Sequence, residues 1–207
     1  PASPVRVARE VPAQRVDDGE DKGVGSAYVQ SRFKPGNSQL QPHEVPVASM
    51  AHTVGRIVDD EGPIHFEEIV SRVRDLWGLG RAGSRIQGAV REAIRHLATG
   101  GGIQVEADCY MRAGKAVAVR NRSGAESKSL KKPELLPPQE IRQAILQLVA
   151  AAHGAVREEV VVAVARSLGF QATSQQLRDR ILPQIDLLLE KQQLTEVLGE
   201  LRATASE

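Results

Sequence analysis

Apolar residues recur at helical spacing from residue 46 onward, which is typical of helices with one buried face. The first series is Met50, Val54, Ile57 and Val58. The dipeptide Gly62-Pro63 interrupts it, and 64–66 could form a very short strand. The second series is Ile69, Val70, Val73, Leu76 and Trp77. The pattern predicts two amphipathic helices separated by a short strand.

A third helix and a hairpin are predicted next. Ser84 and Gln87 have the spacing of a capping box, which marks a helix start. The apolar stripe that follows is Ile86, Val90, Ala93, Ile94 and Leu97, and "TGGG" ends the helix. Residues 103–105 and 109–111 alternate around "EAD", as in a small hairpin. This order of elements is that of a winged helix-turn-helix.

The stretch "GLGRAGSRIQ" (78–87) fits G-x-G-x-x-G, the spacing of a dinucleotide-binding turn. That motif needs a strand before the glycines, because they connect a strand to the helix that receives the pyrophosphate. Here a helix precedes them. We interpret the glycines as the turn between two helices, and we expect no cofactor.

The same unit occurs twice. A shift of 91 residues places 46–103 on 137–194 without a gap, with nine identities in fifty-eight positions, where chance gives about three or four. The second copy lacks a clear wing, because "TEVLGELRA" is hairpin-like at best. Pro183 is expected to kink or split its third helix. The predicted fold is mainly α with small β hairpins, arranged as tandem winged helix-turn-helix repeats.

The predicted domains are a linker or loosely packed arm (1–45), the first repeat (46–112), a basic tether (113–136), the second repeat (137–201) and a tail (202–207). Residues 112–132 carry seven basic residues and one acidic residue, Glu126. The tether is either a mobile, solvated linker or an electrostatic grip on nucleic acid. The grip would use Lys115, Arg120, Arg122, Lys128, Lys131 and Lys132.

Composition excludes several classes of protein. Aromatic residues make up only 3%, which argues against extensive base stacking on aromatic rings. A single cysteine excludes a disulfide framework and a Cys-rich zinc site, and the histidines show no metal-like pairing. Without an apolar span or a signal peptide, we expect a cytoplasmic protein with no membrane partner.

The segment "EGPIHFEEIVSRVRDLWGLGRAGSRIQGAVREAIRHL", with the "LLPPQEIRQAIL" that opens the second copy, resembles a bacterial domain family of unknown function. That family lies at the C-terminus of large superfamily-1 DNA helicases, often with a segment similar to very-short-patch-repair nucleases. The resemblance covers about 45–200, and Ala82 replaces an expected Thr. It implies an accessory domain whose partners are DNA and the upstream helicase and nuclease domains, and it supplies no catalytic residue.

The third helix of the first repeat is the candidate DNA-binding element, since winged helices place this helix in the major groove. Opposite its apolar stripe lie Arg81, Ser84, Gly88, Arg91 and Arg95, flanked by Arg85 and Gln87. These seven residues are called the α3 surface, where α3 denotes the predicted third helix, which starts near Ser84 and ends at "TGGG" (99–102). Two alternatives stay open: a solvated face whose arginines pair with Glu92 and other acids, or a protein-docking face.

The second repeat carries different residues at the same positions. Ala172, Asp179, Leu182 and Asp186 replace Arg81, Gly88, Arg91 and Arg95. Carboxylates repel phosphates, whose neutralisation supplies most of the affinity for DNA. We therefore predict that the first repeat binds DNA and that the second is structural or docks on protein.

No catalytic constellation is indicated. Glu67-Glu68 and Glu158-Glu159 are adjacent pairs that diverge by about 100° on a helix, so we assign them to helix starts. Cys109 lacks a partnering base and is expected to be a packed thiol. We predict a non-catalytic DNA-binding module, with a protein-interaction or dimerisation module as the alternative.

Overall fold

The computed structural model describes residues 25–204. The arm contributes the short strand β1 (Ser26–Ala27). The first repeat then forms α1 (Val47–Glu61), β2 (Ile64–His65), α2 (Phe66–Leu76), α3 (Ser84–Thr99) and the hairpin of β3 (Ile103–Glu106) with β4 (Cys109–Arg112). The tether contains β5 (Arg120–Asn121) and two 3-10 turns, Ser129–Lys131 and Pro133–Leu135.

The second repeat has the same elements in the same order. They are α4 (Pro138–Ala152), β6 (Ala155–Val156), α5 (Arg157–Ser167), α6 (Gln175–Glu190), β7 (Leu194–Val197) and β8 (Glu200–Ala203). Each begins and ends 91 residues after its counterpart, the offset found in the sequence. A helical content of about half, with small antiparallel sheets in the repeats, confirms the mainly α class.

Both repeats build the same three-stranded sheet. The strand orders are β2-β4-β3 and β6-β8-β7, and all these pairs are antiparallel. The expectation of a poorly formed second hairpin is wrong. Leu198 and Gly199 both have positive φ, 54° and 83°, the backbone that two-residue hairpin turns require. A leucine at the first of these positions hid the turn signal in the sequence.

Each repeat encloses its own apolar core, built from the predicted stripes. Val54, Ile57, Val73 and Val90 are fully buried in the first core. In the second, Ile145, Val164, Ile181 and Ile185 are fully buried at the matching or neighbouring helical positions. Helix α3 packs along α1, so one side of α3 faces the core and the other faces solvent.

Two predicted details of the third helices are corrected. Ser84 is the first residue of α3, after Gly83 at the N-cap, and makes no capping hydrogen bond. The second repeat differs, because Ser174 stands at the position equivalent to Gly83 and caps α6 by accepting from the Leu177 amide at 3.3 Å. Helix α6 continues through Pro183 without a break. Pro183 is exposed, so its ring disturbs no core packing.

The described part of the arm, 25–45, packs against the folded repeats. Strand β1 pairs in parallel with β5, and Phe33 packs on the first core. The indole Nε1 of Trp77 donates to the Leu40 carbonyl at 2.9 Å. Residues 1–24 of the predicted arm lie outside the described residues.

The tether is also fixed, because it crosses the turn between α5 and α6. The Arg122 amide donates to the Leu168 carbonyl at 3.0 Å. A Cβ on Gly169 would lie 2.4 Å from the Ser123 nitrogen and 2.6 Å from that of Arg122. Only glycine allows this approach, which also occurs at φ +95°. No helix within 25–204 has the length and apolar character needed to cross a bilayer.

The offset supplies a matched pair of glycines for a test. Gly78 occupies the equivalent turn at φ +65°, but a Cβ there would meet nothing within 4 Å. Gly78→Ala is expected to lower the free energy of unfolding by about 1–2 kcal/mol, from left-handed strain alone. Gly169→Ala is expected to lower it by clearly more, because the tether must move. Urea denaturation measures both, and equal losses would contradict the close tether contact.

Candidate nucleic-acid interface

All seven residues of the α3 surface are exposed to solvent. The core side of the same helix carries Ile86, Val90, Ala93 and Ile94, which are buried. Gly88 lies in the middle of the exposed side, and a Cβ there would meet nothing within 4 Å. The helix therefore offers a continuous outer face with a low point at its centre.

The arginines of the α3 surface form no close ion pair with a carboxylate of the described residues. Within residues 25–204, no salt bridge includes Arg81, Arg85, Arg91 or Arg95. The expected alternative of pairing with Glu92 is therefore not realised in this part of the chain. The Arg91 guanidinium instead lies over the Phe66 ring, 3.9 Å from its centroid.

On the equivalent face of α6, the carboxylate of Asp186 is paired with an arginine. Asp186 accepts from Arg157 at 2.7 Å, and Arg157 also contacts Glu196 of β7 at 2.9 Å. The hydrogen bonds that Arg157 donates to both carboxylates raise its pKa above the ordinary value. Asp179 accepts from Gln175 at 2.8 Å. The two third helices thus differ in charge state as well as in sequence.

Two predicted site residues, Arg120 and Arg122, lie in the interior and cannot contact phosphates. Both bind the Glu140 carboxylate, through Nη2 atoms 2.7 and 2.6 Å from Oε2. Glu140 has no exposed surface. Burial acts to raise its pKa, but the two guanidiniums outweigh this and hold the pKa below its ordinary range. The tether arginines therefore join the tether to α4 instead of gripping nucleic acid.

The same cluster reaches the first repeat and the arm. Arg120 donates to the backbone carbonyls of Glu61 and Pro63. The Glu61 carboxylate, fully buried, accepts from Arg72 at 2.8 Å and from the Tyr28 hydroxyl at 2.8 Å. Burial raises the pKa of Tyr28 well above its ordinary value, which keeps its hydroxyl a donor.

Sequence reasoning missed this cluster, although a signal was present. Glu61 follows Ile57 and Val58 on the apolar stripe of α1 by four and three residues. Arg72 follows Ile69 on the apolar stripe of α2 by three residues. A charged residue on an apolar stripe must be paired when buried, so these positions pointed to a buried ionic cluster. Glu68, interpreted as a helix-start residue, also binds Arg72 at 3.0 Å in the interior.

The remaining cations of the tether are exposed but differ in position. Lys115 donates to the Asp59 carbonyl of α1, on the helix that packs behind α3. Lys128, Lys131 and Lys132 are exposed around the first 3-10 turn, which packs on α2. Ser129 in that turn lines a cleft beside the α3 surface. These lysines, and not Lys115, are the tether cations nearest α2.

The cleft has a volume of about 420 Å³. One wall is α2, with Ser71 and Arg74, and the opposite wall is α3, with Gln87 and Arg91. Ser129 of the tether closes a third side. The cleft therefore adjoins the α3 surface and shares Gln87 and Arg91 with it.

The residues considered for catalysis have structural environments. Cys109 is fully buried, and burial raises the pKa of its thiol to about 12, so it stays a neutral packed thiol. The Nδ1 of His65 accepts from the Glu67 amide at 3.2 Å and caps α2. His96 is exposed on α3.

Residues 41–88 match a family model described as "Protein of unknown function (DUF3320)". The match spans the end of the arm, α1, α2 and the first residues of α3. It supports the coarser part of the resemblance, to a domain whose function is not known. Comparisons with curated proteins and with solved structures found no match to this chain.

Because Glu140 is buried between two arginines, we predict that removing its charge strongly lowers the free energy of unfolding. Glu140→Gln leaves Arg120 and Arg122 buried without a counter-charge, and breaking a buried ion pair costs about 3–5 kcal/mol. We expect a loss of this size in the free energy of unfolding at pH 7, measured by urea denaturation. The control is Glu134→Gln, at an exposed carboxylate of the tether, with an expected change within about 0.5 kcal/mol.

The loss of unfolding free energy caused by Glu140→Gln should depend on pH. Because the pKa of Glu140 is lowered on folding, its stabilisation is complete above the unfolded value of about 4.3 and is lost as the pH falls through the folded value. The difference between wild type and Glu140→Gln should therefore shrink below about pH 4. A constant difference across this range would mean that Glu140 is not charged in the folded protein.

Proposed function

We propose that this chain is a non-catalytic DNA-binding module that contacts duplex DNA through α3. The observation that carries the proposal is a set of four exposed arginines, three on α3 and Arg81 in the turn before it, that form no salt bridge among the described residues. Phosphate neutralisation supplies the sequence-independent part of DNA affinity. Arg85 and Gln87 have side chains suited to reading base edges.

We further propose that each repeat is a winged helix-turn-helix. The order helix, strand, helix, helix, hairpin, with the short strand paired to the last strand of the hairpin, supports this assignment. In this fold the third helix enters the major groove. The exposed face of α3 is the one that such docking would direct at DNA.

The second repeat is proposed as a structural unit. Its α6 face presents Asp179 and Asp186, and the latter is engaged by Arg157. Freeing this face for phosphates would require breaking that ion pair and would still leave a carboxylate. The two repeats therefore share a fold but not a binding function.

The larger context is proposed from resemblance alone. The match of 41–88 to a domain of unknown function, and the similarity of 45–200 to C-terminal domains of superfamily-1 helicases, support an accessory role beside helicase and nuclease domains. In such a role, α3 would hold DNA while separate domains act on it.

A protein-docking role is the second candidate, and one observation favours it for the second repeat. Three of the exposed large apolar side chains lie on one sheet: Val156, Val197 and Leu198, which are 42%, 48% and 101% exposed. Val156 and Val197 both pair with Glu200, so they flank it on one face. This patch is separate from the α3 surface, so both roles can coexist.

Charge reversal on α3 tests DNA binding directly. Arg91→Glu with Arg95→Glu is expected to abolish binding of a short duplex, because two phosphate contacts become repulsive. The measurement is fluorescence anisotropy at low salt. Both positions are exposed, and loss of the Arg91 contact with the Phe66 ring costs only about 0.5–1 kcal/mol, so the protein should stay folded at the assay temperature.

Two matched controls accompany this double variant. Asp179→Ala with Asp186→Ala alters the corresponding face of α6 and should not weaken binding. Arg166→Glu reverses an exposed arginine of α5 and should have little effect. Equal losses from the α3 and α6 variants would overturn the proposed division between the repeats.

Salt dependence tests the contribution of the tether. Each phosphate contact adds about −0.9 to the slope of log affinity against log salt. Replacing Lys128 and Lys131 by alanine is expected to flatten the slope by about 1 each, because Lys128 precedes the 3-10 turn beside the cleft and Lys131 ends it. Lys115→Ala, in the same tether but beside α1, should leave the slope unchanged. An unchanged slope in the double variant would identify the tether lysines as merely solvated.

A further inference from the structure

We propose that the cleft between α2 and α3 receives one unpaired nucleotide of a DNA strand whose duplex part lies on the α3 surface. This inference rests on the proposed function and adds a preference for DNA with an unpaired base. The cleft volume of about 420 Å³ falls in the range, roughly 300–1,000 Å³, of pockets that enclose small ligands. It is far too small for a duplex.

The position of Arg91 supplies a stacking platform. Phe66 is only 4% exposed, and the Arg91 guanidinium lies over its ring at 3.9 Å. Arg91 itself is exposed and lines the cleft. A base that enters the cleft can therefore stack on the outer face of the guanidinium plane, a surface on which proteins commonly stack unpaired bases. Phe66 fixes the plane from behind.

The other lining groups match the rest of a nucleotide. Gln87 lies four residues before Arg91, so both side chains project from the same side of α3. Its amide can donate to and accept from a base edge. Arg81 and Arg74 lie at the edge formed by the turn and α2; Arg74 is paired with Asp75 at 2.6 Å, whereas Arg81 is free to contact a phosphate.

The carboxylates in the lining also decide which part of a nucleotide enters. Glu67 and Asp108 line the cleft with the arginines, and Asp108 accepts from the Tyr110 hydroxyl at 2.7 Å. These acids disfavour a bare phosphate deep in the cleft but can accept from the amino group of a base. The arrangement therefore fits a base inside and a phosphate at the rim.

Energetics favour an unpaired nucleotide over a paired one. Removing a paired base from a duplex carries an unstacking cost, which is least for a base that is already unpaired. Stacking of one base on a protein platform is expected to raise the affinity about tenfold.

The test compares two duplexes by fluorescence anisotropy with the full 207-residue chain. One is a blunt 16-base-pair duplex, and the other is the same duplex with a single-nucleotide bulge. We expect the bulged duplex to bind about tenfold more tightly. Free deoxyadenosine 5′-monophosphate, titrated by calorimetry, serves as a separate probe and is expected to bind much more weakly than the bulged duplex.

Two substitutions fill the cleft from opposite walls. Ser71→Trp fills it from α2 and Ser129→Trp from the tether. Each should remove the preference for the bulge while leaving affinity for the blunt duplex unchanged. The matched control is Val162→Trp, at the position of the second repeat equivalent to Ser71, and it should keep the preference. Having two filling variants preserves the test if one of them fails to fold.

The outcomes separate this inference from the proposed function. Normal binding of the blunt duplex with no bulge preference overturns the inference alone. A preference that persists in both filled variants places the unpaired nucleotide elsewhere and also overturns it. Tight binding of the free nucleotide without a bulge preference would make the cleft a small-molecule site, against the inference. Absence of binding to either duplex defeats the proposed function itself.

Discussion

The arrangement of this protein depends on one buried carboxylate, that of Glu140. It is the salt-bridge partner shared by Arg120 and Arg122, two guanidiniums of the tether that lie in the interior. Because Arg120 also donates to the Glu61 carbonyl, this single group links the second repeat, the tether and the first repeat. Buried charges tolerate little displacement, since a lengthened pair loses attraction without regaining hydration. The repeats are therefore held in a defined relation, unlike two domains on a flexible linker.

This buried cluster explains why the net positive charge of the tether does not indicate which of its cations are exposed. Net charge counts residues but does not reveal which of them lie inside. Arg120 and Arg122 contribute to the charge of the tether, but both are buried in salt bridges with Glu140. Lys128 and Lys131 remain exposed. Conversely, the α3 surface was predictable residue by residue, because the apolar stripe of an amphipathic helix fixes which side chains face outward.

The parts of the fold that apolar periodicity specifies were predictable from the sequence. Helical stripes and the 91-residue offset placed the six α-helices found within residues 25–204 to within a few residues. What periodicity cannot register is pairing between distant polar groups, such as the hydrogen bond from Tyr28 to Glu61 across thirty-three residues. Nor does it reveal a turn built on an unusual residue, as Leu198 shows. Both failures arise where a local rule is broken and a distant contact or a turn geometry compensates.

The two third helices occupy the same place in their repeats, but their outer side chains have different surroundings. On α6, Asp186 is engaged by Arg157, which also reaches Glu196 of the hairpin, so the helix start of α5, the helix α6 and the hairpin are tied together on the outside. In the first repeat, the equivalent of Asp186 is Arg95 of α3. The equivalent of Arg157 is Phe66, the first residue of α2, which cannot form this ion pair. Phe66 instead supports Arg91 from beneath. The first repeat thus has a cation–π contact where the second has an external ion pair, and the arginines of the α3 surface form no salt bridge among the described residues. This difference is the physical basis for proposing that the first repeat binds DNA and that the second is structural.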